Sequence, residues 1–169
     1  MKKILSLILL LLISNFANAE NLYNVTAVTD GDTFTATDGN IKFRVRIVGL
    51  DAPEKAQPYG KLSGQKLQEL ILGKSVKILP IKQALDGYNR ILAQVFVSNT
   101  DVAYQLIQEG LAYYYRPTCK DFPADSQKYN FDPRAYIDAE SKAQKLRRGL
   151  WSSDQKQMLP CAFRKTKKH

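Results

Sequence analysis

Apolar and polar residues alternate in several short segments of the chain, and this period of two predicts β-strands. The alternation is clearest over residues 41–48, where the odd positions are apolar and the even positions up to residue 46 are basic. Because successive side chains of a strand point to opposite faces, we expect Arg46 to point away from the apolar core. Further strands are predicted over residues 22–28, 33–37, 76–84 and 91–97.

Apolar residues at helical spacing predict three helices. The first ends near Gly73, the second runs from about Asp101 to Gly110, and the third begins at Asp132 and ends at Gly149. Aspartate suits a helix start because its carboxylate accepts hydrogen bonds from the first amides, and glycine suits the left-handed residue that follows a helix.

The order of these elements is β-β-β-α-β-β-α-α, which fits a five-stranded Greek-key barrel of the OB type. We therefore expect an α+β fold, an OB-fold barrel with three α-helices. Residues 116–132 are polar and contain two prolines, so they are expected to form a long loop. Residues 20–169 are expected to form one domain, with a mobile basic tail from Arg164 onward.

The first 19 residues have the pattern of an export signal. Lys2 and Lys3 precede an apolar run over residues 4–13, and Ala17-Asn18-Ala19 supplies a small-x-small cleavage site. A membrane anchor or a buried helix is the alternative, but the run is shorter than the roughly 20 residues that span a bilayer. We expect cleavage after Ala19, a periplasmic or secreted location, and a monomer without a membrane anchor.

The chain is basic, with a formal net charge of +9 that falls to +7 when the two lysines of the signal are removed. Net charge informs about partners rather than about the fold. A basic exported protein is attracted to nucleic acid, to anionic polymers of the cell envelope or to lipid headgroups. Charge alone does not choose among these.

The two cysteines, Cys119 and Cys161, are expected to form one disulfide in an oxidising compartment. Closing a loop of this length would stabilise the fold by about 4 kcal/mol on the chain-entropy model. Two buried thiols are the alternative, and the spacing fits no zinc motif. The sole histidine is His169, so a histidine-based triad and a histidine general base are removed from consideration.

Two segments place carboxylates beside tight turns at the ends of strand-like runs, Asp30-Gly31-Asp32-Thr33 and Leu50-Asp51-Ala52-Pro53-Glu54. Asp32 and Asp51 are candidate oxygen ligands of a metal, and the backbone carbonyl of Ala52 is a third. Such a set, completed by water, suits Ca²⁺, which takes about six to eight oxygen ligands. The alternative is that the aspartates only form turns.

Glu54 is placed to accept a proton from a water near that metal or to orient the water. Its alternative is a surface ion pair with Lys55 or Lys61. Arg46 and Arg90 suit the two faces of a phosphate, because guanidinium groups bind phosphate oxygens bidentately and stabilise developing charge. The alternatives are a solvated strand face for Arg46 and an ion pair between loops for Arg90.

Four tyrosines are candidates for stacking on nucleobases, a contact that favours single-stranded or denatured nucleic acid. They are Tyr88, Tyr113, Tyr114 and Tyr115. Tyr88, Tyr113 and Tyr115 are the substrate-binding candidates carried forward. For the run from Tyr113 to Tyr115, packing in the core is an equally good explanation.

Several motifs together resemble the staphylococcal-nuclease-like (thermonuclease) family. They are Asp30-Gly31-Asp32-Thr33, residues 46–54, residues 86–93, Gly110-Leu111-Ala112 and Gly149-Leu150-Trp151. The resemblance extends from about residue 25 to residue 151. The chain departs from the family at Asn89, where a glycine is common, and it lacks the lysine-rich loop that follows Glu54 in the best-known members.

The resemblance implies an OB barrel and Ca²⁺-dependent hydrolysis of phosphodiester bonds in DNA and RNA, with products that end in a 3′-phosphate. It assigns the metal to Asp32, Asp51 and the Ala52 carbonyl. It assigns catalysis to Arg46, Glu54 and Arg90. The choice of calcium and the polarity of cleavage come from the resemblance alone.

Two functions other than an exported nuclease remain open. A non-catalytic OB module that binds single strands would account for the basic charge and the tyrosines. It would not account for three acids in a nucleic-acid groove, because carboxylates repel phosphates unless a cation lies between them. A protein that binds envelope polymers rests on export and charge alone. Cleavage of DNA by the purified protein distinguishes the nuclease from both.

Overall fold

The strands predicted at residues 22–28, 33–37 and 91–97 form with the expected bounds. The structure, a computed structural model, describes residues 22–115, 132–154 and 157–166. Its strands are β1 Leu22–Val28, β2 Thr33–Thr37, β3 Lys42–Ile47, β4 Leu50–Asp51, β5 Ser75–Leu85, β6 Ile91–Val97, β7 Thr100–Asp101 and β8 Tyr113–Tyr114. Its helices are α1 Gly60–Ile71, α2 Val102–Gln108, α3 Arg134–Lys145 and α4 Pro160–Thr166, and a 3-10 turn covers Gly149–Trp151.

Five strands close into a barrel. The sheet order is β3-β2-β1-β5-β6, and β6 returns to pair with β3 in parallel, with Arg46 opposite Leu92. The other pairings in the barrel are antiparallel. The predicted α+β fold, a five-stranded barrel of the OB type with helices, is confirmed. Because β3 and β6 meet, the segments that follow β3 and precede β6 lie on the same side of the barrel.

The apolar faces of the strands and helices meet in one main core. Phe34, Val45 and Ile47 from the barrel and Leu67 and Leu106 from α1 and α2 have no exposed surface. Burying a side chain of this size contributes roughly 1.5–3 kcal/mol relative to leaving it in water. This core is what holds the turns of the barrel in fixed positions.

Two glycine motifs form a close backbone contact next to this core. The Leu150 amide donates a hydrogen bond to the Gly110 carbonyl at 2.8 Å. A Cβ on Gly149 would lie 2.3 Å from that carbonyl oxygen, and a Cβ on Gly110 would lie 2.2 Å from the Arg148 carbonyl. Both glycines also have positive φ angles. Only glycine therefore allows the two segments to approach this closely. Trp151 then packs edge-on against Tyr113.

The structure corrects the expectations for the polar face of β3 and for the tail. Ile41 was expected on the core face but is 62% exposed, whereas Arg46, which was expected to point away from the apolar core, is only 3% exposed. The loops that carry the carboxylates cover this end of β3. The alternation of apolar and polar residues along a strand does not indicate whether loops will cover its polar face. Residues 164–166, at the start of the tail expected to be mobile, instead form the end of α4, a fourth helix where three were predicted.

Three expectations fall partly or wholly outside the described residues. These are the signal segment at residues 1–19, most of the loop at residues 116–132, and Cys119. Cys161 is buried in α4, and no cysteine in the described ranges is a free thiol. Its pairing with Cys119 stays a prediction. No helix in the described part of the chain combines the length and apolar character that a bilayer span requires.

Candidate active site

A cleft of about 380 Å³ opens at the end of the barrel where β3 and β6 meet. It is bounded by the β1–β2 turn, the loop after β4, the β5–β6 turn and α4. The lining residues are Asp30, Asp32, Arg46, Ala52, Pro53, Glu54, Asp86, Gly87, Tyr88, Arg90, Cys161, Arg164 and Lys165. Most of the predicted site residues therefore line one cavity.

The β1–β2 turn fixes Asp32 through both of its carboxylate oxygens. Oδ1 accepts a hydrogen bond from the Thr33 hydroxyl at 2.9 Å, and Oδ2 accepts one from the Ala52 amide at 3.1 Å. Gly31 fits tightly behind this turn, because a Cβ there would lie 2.0 Å from the Ser63 hydroxyl on α1. The turn is therefore fixed against the loop after β4 and against a helix.

Arg46 is buried between the two predicted ligand carboxylates. Its Nη2 lies 3.0 Å from Asp32 Oδ2 and 3.4 Å from Asp51 Oδ1. Its Nη1 donates to the carbonyls of Ile47 and Leu50. Arg46 thus points away from the apolar core, as expected, and its burial contradicts the alternative of a solvated strand face. It holds the two acidic segments together and supplies positive charge beneath the cleft.

The carboxylates at this end of the barrel are crowded and partly dehydrated. Burial, followed by the charge of Asp32, raises the pKa of Asp30 to about 7. Burial also raises the pKa of Asp51, although the guanidinium groups of Arg46 and Arg164 act in the opposite direction. Dehydration and like charges both disfavour the ionised form of an acid. A cation among these oxygens would relieve both effects.

The donor set fits a hard cation such as calcium. Asp32 and Asp51 offer carboxylate oxygens, and Arg46 Nη2 contacts both, so the two carboxylates are held close together. The described residues contain no cluster of three His, Cys, Asp or Glu side chains spaced to hold a metal. A cation here would take the carboxylates of Asp32 and Asp51, and the resemblance adds the carbonyl of Ala52 and water. That composition is typical of oxygen-ligand sites for Ca²⁺ or Mg²⁺.

Arg90 is presented by the β5–β6 turn, and Asp86 organises that turn. Asp86 Oδ1 accepts hydrogen bonds from the amides of Tyr88 and Arg90 at 2.9 and 3.0 Å. Asp86 Oδ2 lies 2.7 Å from both Nε and Nη2 of Arg90. Arg90 Nη1 donates to the Thr33 hydroxyl at 3.3 Å. Asn89 has a φ of 57° and so occupies a left-handed position that asparagine tolerates better than most residues, which explains the departure from glycine.

Glu54 lies at the rim of the cleft on a loop that Gln57 stabilises. The Glu54 amide donates to Gln57 Oε1 at 2.9 Å, and Gln57 Nε2 donates to the Met158 carbonyl at 2.8 Å. Gln57 thereby connects the Glu54 loop to the segment that leads into α4. The Glu54 side chain is 37% exposed, so water reaches it. Within the described part of the chain its ion-pair partner is Arg164 rather than Lys55 or Lys61.

Arg164 is a site residue that the sequence did not indicate. Its Nη1 lies 2.9 Å from Glu54 Oε1 and 3.2 Å from Asp51 Oδ1. Asp86 and Gln57 were also missed as supporting residues. The Asp-Gly turn was a signal for Asp86, because aspartate often accepts amide hydrogen bonds at the start of a turn. No local pattern indicated Arg164, since its position depends on how α4 packs.

The tyrosine candidates separate into one exposed and two buried residues. Tyr88 is 69% exposed, and the Arg90 guanidinium lies 5.3 Å from its ring centroid. Tyr113 and Tyr115 are buried and are not among the lining residues of the cleft. Their rings cannot present a face to a base from these positions. Both residues are therefore packed in the core, which was the alternative explanation for them. Of the three substrate-binding candidates, Tyr88 remains a candidate for stacking on a base.

Comparison with known proteins identifies the family of this chain. The model of the family described as staphylococcal nuclease homologue matches residues 44–153. This chain belongs to that family. A Haemophilus influenzae protein named an uncharacterized endonuclease is 32% identical over 171 residues, which cover 99% of this chain and 88% of the relative. A Shigella flexneri micrococcal nuclease is 30% identical over 168 residues, 94% of this chain and 89% of the relative.

A third relative, a thermonuclease of Staphylococcus hyicus, is 31% identical over 142 residues, which cover 79% of this chain and 78% of the relative. The predicted resemblance is therefore confirmed. The family match includes Arg46, Asp51, Glu54 and Arg90, and it ends before α4 begins. The chain is a nuclease of the staphylococcal type, and its substrate is nucleic acid.

Proposed function

We propose that this family member is an exported Ca²⁺-dependent endonuclease that hydrolyses phosphodiester bonds of DNA and RNA, prefers single-stranded or denatured strands and leaves 3′-phosphate ends. The observation that carries this proposal is the buried contact of one guanidinium nitrogen, on Arg46, with both Asp32 and Asp51. Glu54 and Arg90 line the same cleft. Buried carboxylates would weaken a site that only binds nucleic acid, because they repel the phosphate groups.

In the proposed reaction the residues of the chain bind the phosphate and direct a water. Arg90 binds a phosphate oxygen and stabilises the charge that accumulates at phosphorus, and Arg46 contributes positive charge from below. Glu54 accepts a proton from the attacking water or orients it in line with the leaving oxygen. When bound, the cation would act as a Lewis acid towards a phosphoryl oxygen. Tyr88 stacks on a neighbouring base, which favours unpaired strands.

The proposal is tested by digesting denatured DNA and RNA with the purified protein, first with Ca²⁺ and then with excess chelator. We expect cleavage with calcium and its loss with chelator. Cleavage that continues undiminished in chelator would refute the metal-dependent mechanism. The expected products are extended by a polymerase only after phosphatase treatment, because a 3′-phosphate blocks extension.

The role of Glu54 is tested with Glu54→Gln, which keeps the shape of the side chain but cannot accept the proton. Loss of a general base lowers the rate typically about 10²- to 10⁴-fold. Glu69→Gln is the matched control, because Glu69 lies on α1 with a side chain that is 70% exposed. The control should cleave like the wild type. Near-normal kcat in Glu54→Gln would remove Glu54 from catalysis.

Export, the single domain and the disulfide are also part of the proposal. The signal pattern at residues 1–19, together with the pair of cysteines, supports an oxidising location. The protein recovered from the periplasm or the medium should begin at Glu20. Its intact mass without reductant should be lower by two hydrogens than that of the fully reduced chain. Alkylation of both Cys119 and Cys161 in the native exported protein would contradict the disulfide.

A further inference from the structure

We propose that Arg164 is a positioning residue of this nuclease, which orients the Glu54 carboxylate at the cleft. The proposal rests on the proposed function, because that function is what gives Glu54 its role. Arg164 Nη1 donates to Glu54 Oε1 at 2.9 Å and also lies 3.2 Å from Asp51 Oδ1. One nitrogen therefore spans the candidate base and a candidate metal ligand, and it sets where Glu54 lies relative to Asp51.

The helix that carries Arg164 is anchored to the same loop that carries Glu54. Gln57 is buried, and its amide accepts from the Glu54 backbone while it donates to the Met158 carbonyl just before α4. At its other side α4 packs through Cys161 against the buried ring of Tyr115. The distance between the Arg164 guanidinium and the Glu54 carboxylate is thus set by fixed backbone on both sides. A group held on rigid supports positions its partner more accurately than one on a mobile tail.

Stability alone is a weak explanation for the contact between Arg164 and Glu54. The two side chains are 31% and 37% exposed, and ion pairs at such positions add little to the free energy of unfolding. Glu54 is a flexible side chain at the rim, so it samples several rotamers unless a partner selects one. Selecting the rotamer that faces Asp51 raises the fraction of molecules in which the attacking water is aligned. The effect is therefore expected on kcat rather than on folding.

The contact is a feature of this chain beyond the part matched by the family model. That match ends at residue 153, whereas α4 is Pro160–Thr166. The same cleft also receives Arg46 and Arg90 from within the matched region. Arg46 is engaged beneath Asp32 and Asp51, and Arg90 is held by Asp86. Of the three arginines that line the cleft, Arg164 is the one whose described contacts include Glu54.

The test is a double-mutant cycle on the protein expressed from the full chain and purified after export. We measure kcat and KM on denatured DNA in Ca²⁺. Arg164→Met removes the hydrogen bonds to Glu54 and Asp51 and, after the discount for exposure to water, should lower kcat about fivefold, with KM changed less than about twofold. Arg164→Lys should recover part of kcat, because lysine keeps the charge but not the directed fork. In a Glu54→Gln background, Arg164→Met should add less than about a twofold further loss.

Arg134→Met is the matched control, since Arg134 is 85% exposed, pairs with Asp132 and does not line the cleft. It should cleave like the wild type. The proposal would be overturned if Arg164→Met had the same kcat as Arg134→Met or a higher kcat than the wild type. It would also be overturned if the losses from Arg164→Met and Glu54→Gln multiplied in the double variant. If the wild type does not cleave at all, the proposed function fails. If the wild type cleaves and Glu54→Gln does not, a neutral Arg164→Met refutes only the role of Arg164.

Discussion

Replacing Asp86 with asparagine should loosen Arg90 in the cleft while the β5–β6 turn stays folded. Asparagine keeps an oxygen where Asp86 Oδ1 accepts from the amides of Tyr88 and Arg90. At the position of Oδ2, however, it places an NH₂ group 2.7 Å from the donors Nε and Nη2 of Arg90. Two donors then face each other, and the guanidinium must turn away.

The size of the effect follows from the exposure of the pair. Hydrogen bonds to charged groups contribute about 1.5–3 kcal/mol, and exposure to water reduces this value. The side chains of Arg90 and Asp86 are 17% and 11% exposed, so a modest discount applies. We expect a loss of about 1–2 kcal/mol of transition-state stabilisation, which corresponds to a decrease of about 5- to 30-fold in kcat/KM.

The assay is steady-state cleavage of denatured DNA in Ca²⁺, with Asp38→Asn as the control. Asp38 also accepts two amide hydrogen bonds in a turn, from Asn40 and Ile41, but it has no arginine partner in any described contact. The control should therefore cleave like the wild type. If Asp86→Asn differs from Asp38→Asn by less than about twofold, Asp86 does not position Arg90 for catalysis.

The effect of Asp86→Asn on the free energy of unfolding should depend on pH. Burial acts to raise the pKa of Asp86, but hydrogen bonds from the Arg90 side chain and from the Arg90 and Tyr88 amides outweigh it, so the pKa lies below its ordinary value of 3.8. A carboxyl whose pKa is lowered by folding stabilises the fold above its unfolded pKa and loses this contribution as the pH falls through the folded value. The difference in unfolding free energy between wild type and Asp86→Asn should thus be full at neutral pH, begin to decrease near pH 3.8 and be lost as the pH falls through the lower folded-state pKa.

Three further substitutions test the packing that supports the site, each by urea unfolding. Gly31→Ala should lower the free energy of unfolding by about 1–3 kcal/mol because its Cβ would clash with Ser63. Gly64→Ala should raise it by about 0.5–1 kcal/mol because the nearest atom to its Cβ is 3.6 Å away. Equal effects of the two substitutions would contradict the clash. Tyr136→Phe should cost about 1–2 kcal/mol by removing the 2.6 Å hydrogen bond to Asp101. Burial and then Asp101 raise the pKa of Tyr136, so the wild type should lose stability above about pH 10 more steeply than Tyr136→Phe, and parallel curves would refute this.

The barrel could be predicted because its strands are short and amphipathic. β1, β2 and β6 form with the predicted bounds, since alternation and flanking turn residues are local properties of the chain. The helix α4 was missed because its seven residues, with two basic residues in the last turn, are too few to show a helical repeat of apolar positions. Its position depends on contacts such as that between Gln57 and Met158, which are 101 positions apart. No local pattern carries that information.

The site was predictable in its chemical types and less so in its arrangement. The acids and arginines were recognisable because they lie beside turns at strand ends, and Asp32, Glu54 and Arg90 line one cleft. The burial of Arg46 was not predictable, because it depends on two loops that fold over one face of β3. The order of the tyrosines along the chain likewise did not distinguish an exposed ring from a buried one.

The parallel contact between β3 and β6 has a consequence for folding kinetics. It joins residues 45–47 to residues 91–93 and brings Arg46 beside the strand that follows Arg90. Contacts between distant parts of a chain form slowly, because loop-closure entropy is lost before they begin to stabilise. Until this contact forms, the arginines and the acids belong to separate segments. Cleavage activity should therefore return in the slowest refolding phase, and a partly folded chain should be inert towards nucleic acid.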